Sequence, residues 1–279
     1  INTKLLTPEI NSNSLMQNCY FWTNVDKQTS FKNIYSLPPG SFLKWNIKEF
    51  KIQKHFNFSD YSDETTNNFD ISHELESAIE RQVPKEVKYG CYLSGGIDSS
   101  ILAKILSKKT ELNTFSISFD NKEYNEDPFQ KLFLNENQTN HYQLKVTDKM
   151  IANNFEKTVN HAETFIFRTA PVPMYLLSNL VKKQGIKVIF SGEGADEILF
   201  GYDIFFENRI RNFWKKKASS KLRPQLLKKL YNYLPQFSNS RYFEMTKDFY
   251  KSTLNKKSNY YSHLVRLSLI HISEPTRLG

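Results

Sequence analysis

Residues 89–108 read Tyr89-Gly90-Cys91-Tyr92-Leu93-Ser94-Gly95-Gly96-Ile97-Asp98-Ser99-Ser100-Ile101-Leu102-Ala103-Lys104-Ile105-Leu106-Ser107-Lys108: an apolar stretch, a small-residue loop with one acid, then an amphipathic run. The spacing predicts a strand over Tyr89–Leu93 and a helix from about Ser99 to Lys108, with Ile101, Leu102, Ile105 and Leu106 on one buried face. Gly95 and Gly96 let the backbone turn sharply and approach a ligand closely. Amide hydrogens and the Ser94 and Ser99 hydroxyls can then point at phosphate oxygens. A carboxylate beside phosphates repels them unless a divalent cation intervenes, so Asp98 reads as a Mg²⁺ ligand. An ordinary strand-to-helix turn with capping residues is the plainer alternative. The loop has neither the lysine of a Walker A sequence nor the glycine spacing of a dinucleotide fingerprint.

A second cluster, Ser191-Gly192-Glu193-Gly194-Ala195-Asp196-Glu197, also follows an apolar stretch, Ile186–Phe190, and precedes another helix. Between and around the two clusters, strand and helix signals alternate. A helix with the stripe Ile71, Leu75, Ala78, Ile79 and Val83 comes first, and Thr114–Phe119, a helix near Asp127–Glu136 and His141–Val146 follow the first loop. Helices at Met150–Val159 and Met174–Lys183 lead to the second. The alternation predicts an α/β fold, a parallel sheet with helices on both faces. Ligands of such sheets collect at the carboxyl ends of strands, so both loops are expected to face one ligand. Asp196 would supply a second metal-binding carboxylate opposite Asp98. Glu193 would be a nearby acid or base, against the alternative of a helix-start acid favoured by the macrodipole.

These loops, together with Thr114–Phe119 and Pro171–Ser178, resemble the synthetase domain of glutamine-dependent asparagine synthetases, a PP-loop fold of the adenine nucleotide α-hydrolase type. The likeness runs from about Phe31 to Asn208. It implies ATP and Mg²⁺ as cofactors. Leu93, Ile117 and Gly192 would contact adenine and ribose, and Ser94, Gly95, Gly96, Asp98 and Ser99 would form the pyrophosphate loop, with Ser191 beside Gly192. Asp98 and Asp196 would be the Mg²⁺-associated acids, and Glu193 would handle protons as ammonia attacks. The reaction implied is adenylation of the aspartate side-chain carboxylate, loss of pyrophosphate and capture by ammonia to give asparagine. Glutamine would supply the ammonia in the intact enzyme, for which a homodimer is one expected arrangement. One departure stands out: the family usually places two glycines before the tyrosine, where this chain has Phe200-Gly201-Tyr202. Relatives with the same loops activate other carboxylates in antibiotic or surface-polysaccharide pathways. Sulfur or nitrogen transfer to tRNA and a noncatalytic nucleotide-binding module remain alternative readings.

Upstream, Ile34–Trp45 with Leu37-Pro38-Pro39-Gly40 is similar to the end of that family's glutaminase domain. Residues 1–57 therefore read as a β-rich remnant of a class II amidotransferase domain, made of turns and short strands at Ser41–Trp45 and Phe50–Phe56. A polar linker follows at Asp60–Asn68, within a synthetase domain bounded at 58–266 and truncated at its C-terminus. Residues Leu267–Arg277 match the translation of a sequencing-library adapter, so 267–279 is set aside from fold reasoning. The chain begins with Ile1, and Cys19 is internal, so the N-terminal cysteine nucleophile of the glutaminase is not expected here.

The 279 residues carry 38 Lys and Arg against 29 Asp and Glu, a net charge of +9, with a hydrophobic fraction of 39% and only two cysteines. Length allows one or two domains. No apolar run is long enough for a bilayer, and two unpaired cysteines without a secretory signal point to a reducing, cytoplasmic setting. Basic residues crowd 209–229 beside Phe213 and Trp214. A solvated helical face is favoured there over a nucleic-acid surface. Cys91, within a strand, reads as a small buried side chain. His141 and His161 lack partners at metal spacing and read as packing or hydrogen-bonding groups. Glu126 and Asp127 follow the second strand, where the resembled family often carries acids near the nucleotide site, with helix capping the alternative for Asp127. Arg168 is a candidate for holding a carboxylate or phosphate, weighed evenly against a surface role.

Overall fold

The computed structural model describes residues 7–21, 23–24, 27–56, 70–120, 126–230 and 240–254. The expected linker at 60–68 and the segment 267–279 lie outside the described residues. The chain forms two compact units, Ile1–Gly192 and Glu193–Gly279.

The first unit opens with a helix, α1 (Ser12–Phe21), where turns and short strands are expected from sequence. Its two buried side chains, Ser14 and Asn18, are polar, so no apolar stripe announces it. Asn24 Oδ1 satisfies both, accepting from Ser14 Oγ at 2.6 Å and from Asn18 Nδ2 at 2.7 Å. The strands β1 (Ser41–Trp45) and β2 (Phe50–Lys54) then pair antiparallel, with Trp45 opposite Phe50. Helix α2 (Ile71–Gln82) is capped by the Asp70 carboxylate, which accepts from Ser72 and His73 N–H. Its expected stripe holds only in the second half: Ile79 is buried, while Ile71 and Leu75 are exposed.

From here strands and helices alternate: β3 (Tyr89–Tyr92), α3 (Ile97–Ser107), β4 (Asn113–Phe119), α4 (Asp127–Glu136), β5 (Asn140–Val146), α5 (Asp148–Ala162), α6 (Pro171–Lys183) and β6 (Val188–Phe190). The four strands form one parallel sheet in the order β5-β4-β3-β6. The chain steps outward from β3 to β4 and β5, then returns to place β6 on the other side of β3. The strand order thus reverses between β3 and β6, and that switch point is where open α/β sheets bind ligands.

Side chains alternate across the sheet as its pleat requires. On one face Cys91 and Leu93 pack with Ile79, Ala103, Ile105, Leu106 and Phe133 from α2, α3 and α4. On the other, Phe115, Ile117, Tyr142 and Leu144 pack with Leu177 and Val181 of α6. Both faces are therefore covered, as expected. In α3 the buried set is Ser99, Ala103, Ile105 and Leu106, and Ile101, expected inside, is exposed. The helix starts two residues earlier than the sequence suggests, and its buried face follows the Ser99, Ala103 and Leu106 spacing, which leaves Ile101 outside it. Helix α6 ends in a Schellman motif. Gly185 at φ +72° donates to Lys182 O, and Ile186 donates to Val181 O, with Val181 and Ile186 in one apolar cluster.

The second unit is helical: α7 (Ala195–Leu199), α8 (Asp203–Lys215), a 3₁₀ segment Arg223–Lys229 and α9 (Ser240–Thr253). Trp214, Leu227, Leu230, Phe243, Tyr250 and Leu254 form its core. Trp214, the more inviting of the two aromatics for base stacking, is 1% exposed. Arg211 is buried too, 3.7 Å from the buried Glu207 carboxylate and over the Tyr250 ring. Arg223 lies over Phe213 and Lys228 over Phe243. Arg211, Arg223 and Lys228 are thus engaged within the unit, while Arg209, Lys215, Lys216, Lys217, Lys221 and Lys229 are exposed. No helix among the described residues is long and apolar enough to cross a membrane.

Candidate functional site

The first glycine loop leaves the carboxyl end of β3 and enters α3. Gly95 sits at φ +89°, a conformation that side chains resist. A Cβ there would lie 2.9 Å from Phe129 Cβ and 3.2 Å from Gln130 N, so the first turn of α4 backs the loop. Gly96, at the N-cap of α3, has no side chain to accept from the first-turn amides. The first-turn amides of α3 have no intrahelical acceptor and face outward from the helix end, where the macrodipole favours an anion.

The serines brace this loop. Ser99 is buried, and its hydroxyl accepts from Ser94 N–H at 3.2 Å, donates to Gly96 O at 3.1 Å and lies 2.9 Å from Ser94 Oγ. Gly96 N–H in turn donates to Ser94 Oγ at 3.2 Å. Ser99 therefore holds the turn from inside, while Ser94 is exposed at its rim. Asp98 lies in the first turn of α3.

The second loop begins at the end of the neighbouring strand β6. Gly192 packs directly on the first: a Cβ on it would lie 3.1 Å from Ser99 N and 3.2 Å from Asp98 Cβ. The structure thus brings Leu93, Ser94, Gly95, Gly96, Asp98, Ser99 and Gly192 together, with Ser191 exposed just before Gly192 and Ile117 half-buried on the adjacent β4. Arg168 lies exposed on the connection between α5 and α6.

Glu193 and Asp196 belong to the second unit. Glu193 precedes Gly194, which adopts φ +94° and caps α7. Asp196 is half-buried in the first turn of α7, and its carboxylate occupies the space a Cβ on Gly201 would need. Phe200 takes the left-handed conformation, φ +58°, at the end of α7 and packs edge-on against Phe205 with 5.1 Å between centroids. Tyr202 donates to Glu197 Oε1 at 2.9 Å, and that bond, with burial and the nearby acids, pushes its phenol up.

Several polar groups behind the loop carry perturbed ionisation. His141 is held between Thr114 Oγ1 at 2.9 Å and Ser116 Oγ at 3.0 Å, a hydrogen-bonding role rather than metal ligation. Loss of hydration lowers its pKa, with Asp127 opposing. Desolvation of the carboxyl raises Glu126 although much of the residue is exposed. Asp127 is not the cap of α4, a place taken by Glu126; it accepts from Gln143 Nε2 at 2.8 Å. Burial pushes the Cys91 thiol up to about 12, which makes it an inert packing group.

A donor set of helix amides and hydroxyls around left-handed glycine suits a phosphate chain. Asp98 offers a hard oxygen of the kind that binds Mg²⁺ together with substrate phosphates. Among the described residues no group of three His, Cys, Asp or Glu side chains is placed to hold a metal by itself. A cleft of about 870 Å³ opens instead at the amino ends of β4 and β5, lined by Lys108, Lys109, Asn137 and His141 among others. Strand direction assigns the ligand to the opposite end of the sheet, where the glycine loops lie. Sequence reasoning missed Gln130, which is buried under the loop. A lone amide in an amphipathic helix carries no sequence signal of its own.

The asparagine synthase family model matches residues 70–274 of the chain. Asparagine synthetase B [glutamine-hydrolyzing] of Escherichia coli (strain K12) is 29% identical over 198 residues, covering 62% of this chain and 35% of that protein. Asparagine synthetase [glutamine-hydrolyzing] 1 of Saccharomyces cerevisiae is 30% identical over 216 residues, covering 62% of this chain and 36% of its own length. Amidase chyE of Penicillium rubens is 26% identical over 205 residues, covering 65% and 30% respectively. The chain spans about a third of the length of these curated relatives.

Proposed function

This chain belongs to the asparagine synthase family, and from that premise we propose that it is an ATP- and Mg²⁺-dependent ligase that converts the aspartate side-chain carboxylate to an amide. The carboxylate oxygen attacks the α-phosphorus of ATP, pyrophosphate leaves with its electron pair, and ammonia then displaces AMP from the activated carbonyl to give asparagine. The observation that carries the reading is the uncapped amino end of α3 behind a left-handed Gly95, at the sheet's switch point.

In this scheme the α3 amides and the Ser94 hydroxyl hold the β- and γ-phosphates, and the inward Ser99 hydroxyl keeps the turn closed. Leu93, Ile117 and Gly192 border the adenosine, with Ser191 beside them. Asp98 and Asp196 are the acids that would hold Mg²⁺, which neutralises charge on the departing pyrophosphate. Glu193 accepts a proton from the attacking nitrogen, because ammonium itself has no lone pair to donate. Arg168 is the candidate for binding the substrate carboxylate. We assign residues 1–57 to the end of an amidotransferase domain, which in the intact enzyme would supply ammonia from glutamine; the names of two relatives include glutamine hydrolysis.

A second reading keeps the mechanism and changes the carboxylate. It draws on the match to a protein named an amidase, which covers 65% of this chain against 62% for the Escherichia coli synthetase, at 26% against 29% identity. The test is pyrophosphate release from Mg·ATP with ammonium, with and without aspartate, beside Asp98→Ala. Aspartate-dependent release that vanishes in the variant is the expected result. Release dependent on Asp98 but indifferent to aspartate turns the search to another carboxylate, and ATP binding without release under any substrate leaves a binding module.

A further inference from the structure

Gln130 of α4 is 1% exposed, an amide with two donors and one good acceptor buried beneath the glycine loop. Its Nε2 lies 3.3 Å from Ile117 O and 3.5 Å from Ser94 O, both long contacts made by one group. Its Oε1 accepts from Gln143 Nε2 at 3.2 Å, and Gln143 also donates to Asp127 at the start of α4. One side chain therefore touches β4, β5 and the first residue of the loop after β3. A leucine or methionine of similar volume would fill the space without the cost of burying an amide. What only the amide adds is direction.

The direction matters because the Ser94–Gly95 peptide is planar and trans. Its carbonyl and its N–H point opposite ways, so a carbonyl held inward toward Gln130 turns the Gly95 N–H outward. That N–H has no acceptor among the described residues. We propose that Gln130 is a positioning residue for phosphate: by bridging the Ser94 and Ile117 carbonyls, it presents the Gly95 N–H to a phosphate oxygen of the bound nucleotide. This inference rests on the nucleotide reading of the loop given above.

The experiment compares Gln130→Met, which keeps volume but loses the donors, with Gln130→Glu, which keeps the acceptor for Gln143 and also loses the donors. Calorimetry of the full chain reads the affinity for pyrophosphate, for a non-hydrolysable ATP analogue with Mg²⁺, and for adenosine. A lost hydrogen bond to a charged oxygen predicts binding of the first two weakened about tenfold or more in both variants, with adenosine unchanged. A role in packing alone would lower the melting temperature and weaken all three alike, or none, and would overturn the proposal. In the wild-type chain labelled with ¹⁵N-glycine, the Gly95 amide resonance is expected to shift downfield on adding pyrophosphate. An unmoved Gly95 resonance in a chain that binds pyrophosphate overturns the proposal without any variant. A wild-type chain that binds neither pyrophosphate nor the ATP analogue sinks the nucleotide reading itself, and this proposal with it.

Discussion

Two glycines of the first unit share a left-handed backbone and differ in what surrounds them, which isolates the contact between the glycine loop and α4. Gly185 sits at φ +72° with nothing within 4 Å of the place an alanine methyl would take, whereas Gly95 sits at φ +89° against Phe129 Cβ and Gln130 N. Alanine at either position incurs roughly 1–2 kcal/mol of backbone strain, less about 0.5–1 kcal/mol regained because alanine restricts the unfolded chain. Gly185→Ala should therefore cost about 1 kcal/mol. Gly95→Ala adds an overpacking cost of about 1–3 kcal/mol, since its new methyl meets backbone of α4 and not the free end of a side chain. For a unit of this size those totals, about 1 and about 2–4 kcal/mol, correspond to losses of about 2–4 °C and about 4–16 °C in melting temperature. Far-UV circular dichroism melts of both variants without ligand read the difference in one transition, because both glycines belong to Ile1–Gly192. Equal shifts would mean that α4 does not back the loop, and the support assigned to Gln130 would fall with it.

Other consequences follow from the same geometry. His141 has its pKa lowered from 6.5 by burial, so the unfolded chain binds a proton that the folded chain refuses. Its contribution is full above about pH 6.5 and is lost as pH falls toward the folded value; Glu126, raised from 4.5, opposes this at lower pH. A His141→Gln chain should show a flatter melting temperature between about pH 7 and pH 5, and an unchanged slope would contradict the assignment. In the second unit, Glu207→Gln leaves Arg211 buried without its carboxylate and should cost about 3–5 kcal/mol in urea unfolding followed by near-UV ellipticity. An unmoved midpoint would show that the pair is not buried. Ellman's reagent should titrate exposed Cys19 in the native chain and reach Cys91 only after unfolding, and two fast thiols would refute the burial of β3.

The strand, glycine loop and helix at 89–107 are legible in sequence because apolar periodicity and loop chemistry agree there, and the same holds for the turn after Phe190. The sheet order is not legible. Nothing local says that β6 pairs with β3, yet that pairing sets the switch point and packs Gly192 on Asp98. Helix α1 leaves no periodic signal because its buried side chains are a serine and an asparagine whose partner, Asn24, lies outside the helix. Ile101 turns outward because the buried face of α3 follows the Ser99, Ala103 and Leu106 spacing, and apolar periodicity alone does not choose between that face and one through Ile101. In 209–229 the charge pattern is plain in sequence, but only the packing shows Arg211, Arg223 and Lys228 lying over aromatic rings of their own unit.

Ligase chemistry of the proposed kind requires a substrate carboxylate to attack the α-phosphorus of ATP. Aspartate labelled with ¹⁸O in its side-chain carboxylate, incubated with the chain, Mg·ATP and ammonium, tests it by mass spectrometry of the nucleotide product. AMP carrying one ¹⁸O atom is the expected product, because the bridging oxygen leaves with AMP when ammonia takes the carbonyl. Unlabelled AMP, or ADP and phosphate as products, would contradict it.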